Sequence, residues 1–161
     1  MIRVIRETCF VVVILSCSVY TALAHAAALP CDQSRYEKGI KMLGQVSAES
    51  GEAVIKSLAE YAPFLACMTV EFPYGDVFSR PQLTLKQREI ATVAGLVAMG
   101  NARPQLKVHI NAAFNVGLTR DEIMEVIMHM AVYSGFPSAI NGVFAMKEVE
   151  QERAAKAKVA K

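Results

Sequence analysis

Residues Arg80–Pro137 decide the fold, and they read RPQLTLKQREIATVAGLVAMGNARPQLKVHINAAFNVGLTRDEIMEVIMHMAVYSGFP. Apolar residues recur in this stretch at helical spacing, and turns at Gly100-Asn101 and Gly117 interrupt them. The pattern predicts three helices joined by two short turns. Because residues 90–99 are apolar on nearly every side, we expect the first of these helices to be buried.

Two capping boxes fix where the first and third of these helices begin. Thr84 is followed three residues later by Gln87, and Thr119 by Glu122. In each box the threonine hydroxyl can accept a hydrogen bond from a backbone N–H that the helix leaves free. These local signals therefore predict the helix starts and the residues that face the core.

The remaining sequence also predicts helices, so the expected fold class is all-α. Helices are expected over Asp32–Glu49, from about Glu52, from Pro63 and from Pro137. The segment Pro73–Leu83 (PYGDVFSRPQL) is the one long irregular part, because it combines prolines with a Gly-Asp turn signal. Its aromatic side chains could line a pocket or fill the core, and the sequence leaves both open.

The composition is typical of a single globular domain. The chain has 161 residues, of which 53% are hydrophobic and 20% are charged, and this excludes a disordered chain. Its net charge of +2 is too small to indicate a nucleic-acid partner. Beyond the N-terminus, no unbroken apolar run is long enough to predict a membrane span.

Residues 1–26 are typical of a signal peptide. Two arginines precede an apolar stretch, and Ala24-His25-Ala26 matches the usual cleavage pattern. We therefore predict a mature domain of residues 27–161 that is exported, periplasmic or secreted, and free of the membrane after cleavage. The alternatives are an uncleaved anchor, a lipoprotein joined at Cys17, and a cytoplasmic protein whose assigned start is wrong.

Export would place Cys31 and Cys67 in a compartment that permits disulfides. A bond between them is possible, but the sequence cannot supply its geometry. The favoured interpretation of Cys67 is a small, buried, apolar residue.

Glu89 and His109 are the strongest candidates for chemistry. Glu89 precedes Val93 by one helical turn, and His109 lies between Leu106 and Ala113 on the apolar side of the next helix. A buried carboxylate is costly unless it is paired or protonated, and two antiparallel helices could bring the two side chains together. Such a pair can move a proton, although a purely structural Glu–His bond fits the same pattern.

Four further residues are candidates for binding a substrate. Arg80 and Arg88 could each hold a carboxylate through a two-pronged contact. His129 and Tyr133 share one face of the third helix and could line a site where subunits meet. A structural role for His129, such as a surface pair with Glu125, is the favoured interpretation.

The segment Ile123–Tyr133 (IMEVIMHMAVY) predicts a homo-oligomer. A helix that is apolar over so much of its surface is hard to cover from within one small domain. We therefore expect a homo-oligomer whose interface uses this helix or the preceding ones.

Common catalytic and cofactor motifs are absent from the sequence. It contains no Cys-x-x-Cys, no H-E-x-x-H, no G-x-S-x-G, no P-loop and no dinucleotide-binding glycine motif. Three histidines, one of them in the predicted signal peptide, are too few for a conventional zinc site. We therefore predict no metal, and the expected partner is a small-molecule substrate.

Two segments carry a family resemblance. GDVFSRPQLTLKQREIATVAGL and QLKVHINAAFNVGLTRDEIMEVIMHMAVYSGFPSAIN resemble the carboxymuconolactone decarboxylase family, which includes the alkylhydroperoxidase D-like proteins. The pattern H-x7-G-x-T-x-x-E-I-x-E beginning at His109, followed by Y-x-G-x-P beginning at Tyr133, is specific in combination. The similarity extends from about Tyr36 to Val149.

The resemblance implies an all-α, alkylhydroperoxidase D-like bundle that forms trimers or hexamers, with active sites at subunit contacts and no cofactor. In its peroxidase branch, a Cys-x-x-Cys precedes the histidine and a glutamate relays protons. The matching positions here are Ala102, Gln105, His109 and Glu89, so the thiolate that reduces peroxide is missing. The chain therefore resembles the cysteine-less, decarboxylase-like branch.

That branch implies a lyase that removes CO₂ from a small carboxylated lactone or related acid. His109 is the expected acid or base, Glu89 its proton-relay partner, and Arg80 or Arg88 the anion holder. An exported protein does not suit a cytoplasmic lactone pathway, so the substrate stays open. The alternatives are a peroxiredoxin-type alkylhydroperoxidase that uses Cys67, and a non-catalytic oligomeric binding protein.

Overall fold

The computed structural model describes residues 31–159, which form seven α-helices and one π-helix. The α-helices are α1 (Gln33–Val46), α2 (Ala48–Tyr61), α3 (Pro63–Val70), α4 (Leu85–Met99), α5 (Arg103–Asn115), α6 (Arg120–Ser134) and α7 (Phe136–Val159). The π-helix, Glu71–Phe78, lies between α3 and α4. No strand occurs in this part of the chain, so the all-α prediction is confirmed. The predicted signal peptide lies outside the described residues.

Helices α4–α7 enclose the larger of two hydrophobic cores. Val97, Ile110, Ile127 and Met146, one from each helix, are all almost fully buried and belong to one cluster.

Within residues 31–159, no helix is both long enough and apolar enough to cross a bilayer.

Both predicted capping boxes are present, at the starts of α4 and α6. The Thr84 hydroxyl accepts a hydrogen bond from the Gln87 backbone N–H, and the Gln87 side chain accepts one from the Thr84 backbone N–H. Thr119 and Glu122 make the same reciprocal pair. Each box satisfies two backbone donors that have no partner inside the helix, which fixes where the helix begins.

The second core is built by α1, α2, α3 and the π-helix. Leu43, Ile55, Val70 and Tyr74 are buried together there, and Ala112 of α5 closes the cluster. Helix α5 therefore contributes to both cores, with Ile110 in one and Ala112 in the other. Helix α5 therefore lies where the two halves of the domain meet.

The π-helix replaces most of the segment predicted to be irregular, and that prediction was wrong for residues 73–78. Two tertiary contacts explain the difference. Arg35 of α1 forms ion pairs with both Glu71 and Asp76, at the two ends of the π-helix. A Cβ atom added to Gly75 would lie 2.6 Å from the backbone oxygen of Arg35, so glycine is needed for this close contact. Within the segment 73–83, residues 79–83 remain non-helical.

The N-terminal helices also differ from prediction at their boundary. The expected first helix, Asp32–Glu49, ends at Val46, and α2 begins at Ala48 rather than near Glu52. The buried Ser47 separates them, and its backbone oxygen accepts from Ser50 and Gly51. A turn of this kind has no proline or glycine of its own, so local sequence signals do not reveal it.

Cys31 and Cys67 form a disulfide, which corrects the interpretation of Cys67 as an unpaired buried residue. The bond joins the residue before the α1 cap to α3, across 36 positions of the sequence. Beside it, Glu71 accepts a hydrogen bond from the backbone N–H of Asp32 at 2.7 Å. The start of α1 is therefore held to α3 and the π-helix by a covalent bond and a hydrogen bond.

Candidate active site

Helices α4 and α5 bring Glu89 and His109 together. Nδ1 of His109 lies 3.0 Å from Oε2 of Glu89. The Glu89 side chain is fully buried, one and two turns before Val93 and Val97 on the inner side of α4, while the His109 side chain remains 19% exposed. The capping box at Thr84 fixes where α4 begins and therefore which of its side chains face inward. The pair therefore links a carboxylate that is shielded from water to an imidazole that is partly accessible to water.

The hydrogen bonds of this pair are incomplete. Among the described residues, Oε1 of Glu89 is buried and has no hydrogen-bond partner. Leaving a buried carboxylate oxygen without a partner costs free energy, so such groups are rare outside functional sites. Because Nδ1 of His109 is occupied by Glu89, Nε2 is the ring nitrogen that a ligand can contact.

A pocket of about 160 Å³ lies against His109. Leu43, Val54 and Ile55 of α1 and α2 form much of its apolar wall, and its polar side chains are Thr69, Tyr74, Gln105 and His109. None of the lining residues is Lys, Arg, Asp or Glu, so His109 is the one lining side chain that can carry a positive charge. This arrangement suits a small molecule whose negative group contacts the imidazole.

Tyr74 lines this pocket and lies close enough to Glu89 for the carboxylate charge to act on its phenol. Burial, and to a smaller extent the negative charge of Glu89, raises the pKa of the Tyr74 phenol to about 12. The phenol is therefore a neutral hydrogen-bond donor at physiological pH. Its ring packs against Phe78, with ring centroids 5.3 Å apart, so the π-helix holds the side chain in place.

Arg88 and Arg80, the predicted carboxylate-binding residues, do not line this pocket. Arg88 is buried, and its guanidinium donates to the backbone oxygen of Arg80 at 2.8 Å and lies 5.8 Å from the ring centre of Phe78. This contact ties the segment after the π-helix to α4. The Arg80 side chain is exposed.

His129 and Tyr133 lie on the outer face of α6 and likewise do not line the pocket of this chain. Their ring centroids are 5.2 Å apart, and both side chains are exposed. The structure therefore separates the predicted site residues into three sets. Glu89 and His109 lie beside the pocket, and the buried Arg88 packs against Phe78. The exposed residues are Arg80, His129 and Tyr133.

A larger cavity of about 500 Å³ lies between α5 and α7, but it offers less chemistry. It contains no imidazole, and Arg103 and Lys107 in its lining form ion pairs with Glu148 and Glu152. Two of its four basic side chains are neutralised in this way, and the cavity contains no counterpart of the buried Glu89–His109 pair. We therefore place the candidate active site at His109.

Comparison with known proteins shows the family of this chain. Residues 65–148 match the model of the Carboxymuconolactone decarboxylase family. The chain belongs to the carboxymuconolactone decarboxylase family. It is 31% identical over 119 residues to 4-carboxymuconolactone decarboxylase of Acinetobacter baylyi, with 73% of this chain and 88% of that protein covered.

A second relative in this context is nitrosuccinic acid decarboxylase of Metarhizium robertsii, at 35% identity over 111 residues, covering 67% of this chain and 76% of that protein. An uncharacterised 15.0 kDa protein of Paracoccus denitrificans is 28% identical over 85 residues, covering 52% of this chain and 63% of that protein. The family resemblance predicted from the sequence is thus confirmed. The named relatives support a decarboxylase-like function at this coarse level.

The pocket of this carboxymuconolactone decarboxylase family member is lined by residues that sequence reasoning did not single out. Tyr74 lies in the segment predicted to be irregular, and its aromatic content was the only signal available. Thr69 gave no signal, and Gln105 was noted only as a position that holds a cysteine in the peroxidase branch. Leu43 and Val54 precede the family match at residues 65–148, so that wall of the pocket lies outside the matched region.

Proposed function

We propose that the protein is a cofactor-free decarboxylase that acts on a compact organic acid through His109 and Glu89. The observation that carries this proposal is their 3.0 Å hydrogen bond, which ties Nδ1 to a buried carboxylate and leaves Nε2 for a ligand in the pocket. The names of two relatives, both decarboxylases, support the same chemistry.

The proposed reaction has two steps. The bond between the substrate carbon and its carboxylate breaks, CO₂ leaves, and the electron pair moves into an adjacent electron-accepting group of the substrate. His109 then donates the Nε2 proton to that carbon, while Glu89 holds the Nδ1 proton and stabilises the imidazolium before transfer. Water returns a proton to Nε2, so the lost CO₂ is balanced by one proton gained.

The pocket favours a small substrate. Its volume of about 160 Å³ is below the roughly 300–1,000 Å³ of common small-molecule sites. The relatives are named for 4-carboxymuconolactone and nitrosuccinic acid. Each of these acids carries an electron-accepting group, a lactone or a nitro group, that can take up the electron pair. In this scheme protonated His109 attracts the carboxylate, and the predicted anion-holding role passes from Arg80 and Arg88 to the imidazole.

The test is CO₂ release from 4-carboxymuconolactone and from nitrosuccinate. We expect His109→Asn and Glu89→Gln to lower kcat by about 10²–10⁴-fold, the usual contribution of a general acid. Lys107→Gln is the matched control, because Lys107 lies on the same helix but pairs with Glu148 and Glu152 of α7. Absence of CO₂ release from both acids would exclude this function, and a His109→Asn variant with normal kcat would exclude this site.

We also propose that the protein is a homo-oligomer whose contacts include the outer face of α6. Val132 and Tyr133 are 75% and 74% exposed, and Phe136 at the start of α7 is 73% exposed. Large apolar side chains grouped in this way are typical of protein interfaces. A trimer or hexamer would place His129 and Tyr133 at a subunit contact, where they could complete a neighbouring site.

Export from the cytoplasm also remains a proposal, and the Cys31–Cys67 disulfide supports it, because such bonds persist in oxidising compartments. The same bond leaves neither sulfur as a free thiol. Positions 102 and 105, which hold the cysteines in the peroxidase branch, are Ala102 and Gln105. Nothing in the described pocket favours the peroxidase alternative.

A further inference from the structure

Tyr74 is a buried, titratable residue that the reaction described above does not use. It is 7% exposed, and it is one of the residues that line the pocket shared with His109. Within residues 31–159, its hydroxyl makes no hydrogen bond to protein. A phenol fixed by packing and left without a protein partner is available to donate to a ligand.

Decarboxylation creates a need for such a donor. When CO₂ leaves, the electron pair that remains is delocalised onto an oxygen of the electron-accepting group, which becomes an enolate or a nitronate. His109 protonates carbon in the next step, so another group has to stabilise that oxygen. A donor fixed in a site with little water stabilises developing charge more strongly than water does.

We propose that the Tyr74 hydroxyl donates a hydrogen bond to the oxygen of the substrate on which negative charge develops as CO₂ leaves. This inference rests on the proposed decarboxylase function and assigns a further residue to it. No proton is transferred from Tyr74: the phenol stays neutral, and the proton that reaches carbon comes from His109. This contact limits the substrate class to acids whose electron-accepting group has an oxygen that can accept a hydrogen bond from the phenol.

The chemistry around Tyr74 supports a donor rather than a base. Glu89 lies close enough for its charge to oppose ionisation of the phenol, and the pocket lining contains no Lys or Arg that would favour a phenolate. Removing the hydroxyl alone is possible, because Tyr74→Phe keeps the ring that packs against Phe78. Tyr36→Phe is the matched control: it removes a phenol hydroxyl beside the same core but outside the pocket.

The first experiment compares kcat and KM for CO₂ release from nitrosuccinate and 4-carboxymuconolactone. We expect Tyr74→Phe to lower kcat by about 10²–10³-fold, as loss of one donor to a developing oxyanion does, with a much smaller change in KM. Tyr36→Phe should behave as wild type. A wild-type kcat in Tyr74→Phe would overturn the role of Tyr74 while leaving the decarboxylase function intact.

The second experiment needs no turnover. Nitrosuccinate that loses the CO₂ beside its nitro group becomes the nitronate of 3-nitropropanoate, so this anion mimics the charge that Tyr74 would stabilise. Calorimetry near pH 10, where Tyr74 with its pKa of about 12 is still protonated, compares this nitronate with succinate. We expect Tyr74→Phe to bind the nitronate about tenfold more weakly and succinate unchanged.

The two experiments separate the two proposals. If wild type binds the nitronate in a Tyr74-dependent manner but releases no CO₂, the decarboxylase function fails and the anion contact stands. If wild type and Tyr74→Phe bind the nitronate equally, or neither binds it, the role assigned to Tyr74 is wrong.

Discussion

Within residues 31–159, Glu89 depends on His109 alone for its hydrogen bonding: Oε2 lies 3.0 Å from Nδ1 of the imidazole, and Oε1 has no partner. A fully buried carboxylate in this state is costly. Natural proteins keep such destabilising groups where function requires them. The pair therefore predicts opposite effects on stability and on activity when Glu89 is replaced.

Glu89→Leu should abolish turnover without reducing stability. The substitution removes a buried charge and fills the space with apolar atoms, while His109, which is partly exposed, can bond to water instead. We expect the free energy of unfolding to stay level or rise by on the order of 1 kcal/mol. Urea denaturation measures it. A loss above about 2 kcal/mol would show that Glu89 mainly supports the fold.

Stability should fall at high pH because of Tyr74. The pKa of its phenol rises from 10.0 in the unfolded chain to about 12 in the native protein, so the native state holds the proton more tightly. Its contribution is fully present below pH 10 and is lost as the pH rises toward 12, with a slope of about 1.4 kcal/mol per pH unit. Urea unfolding of wild type and Tyr74→Phe at several pH values isolates this contribution. Identical pH dependence in both proteins would contradict the raised pKa.

Loss of the Cys31–Cys67 disulfide should destabilise the N-terminal half. The bond closes a loop across 36 positions, for which the loop-entropy relation gives about 4 kcal/mol, and measured values are typically about 2–4 kcal/mol. Cys31→Ser combined with Cys67→Ala should lower the free energy of unfolding by this amount. A reductant should have the same effect on wild type and none on the double variant, which serves as its control.

Two glycines of α1 should respond in opposite directions to alanine. A Cβ atom on Gly39 would lie 2.5 Å from the backbone oxygen of Val70, whereas one on Gly44 would meet no atom within 4 Å. Gly39→Ala should therefore destabilise the protein by about 1–3 kcal/mol through overpacking. Gly44→Ala should stabilise it by about 0.5–1 kcal/mol through helix propensity. Thermal unfolding of both variants tests the close packing of α1, which fails if the two behave alike.

Val132→Glu should disrupt the proposed oligomer while leaving the subunit folded. Val132 is 75% exposed on α6, so a carboxylate there meets water in a monomer but would be buried at an interface. Light scattering should give a multiple of the subunit mass for wild type and a smaller assembly for the variant, with unchanged circular dichroism. A wild-type protein that is monomeric at micromolar concentration would rule out the oligomer.

The parts of the fold that followed from the sequence are those with local signals. Thr84 and Thr119 mark the starts of α4 and α6 because a capping box involves residues only three apart. The position of Glu89 beside Val93 on the inner side of α4 followed from helical periodicity, and the same reasoning placed His109 near it. Sequence patterns over a few residues were thus sufficient to predict the two residues at the centre of the candidate site.

The parts that the sequence did not reveal depend on contacts between distant residues. Gly75 looks like a turn, but Arg35 lies against it and its ion pairs help to hold the π-helix. The pairing of Cys31 with Cys67 needs a geometry that spacing cannot supply. Tyr74 lines the pocket as part of the π-helix, so the contacts that the sequence did not reveal concealed both this element and the residue that it contributes to the pocket.

The π-helix also bears on how the family could acquire new substrates. A π-helical turn holds about one residue more than an α-helical turn, so gaining or losing a single residue in Glu71–Phe78 would rotate which side chain stands at the position of Tyr74. The proposed acid–base pair, Glu89 and His109, comes from α4 and α5 and would be unaffected. A one-codon insertion or deletion could therefore exchange the side chain that lines the pocket at this position while the Glu89–His109 pair is kept.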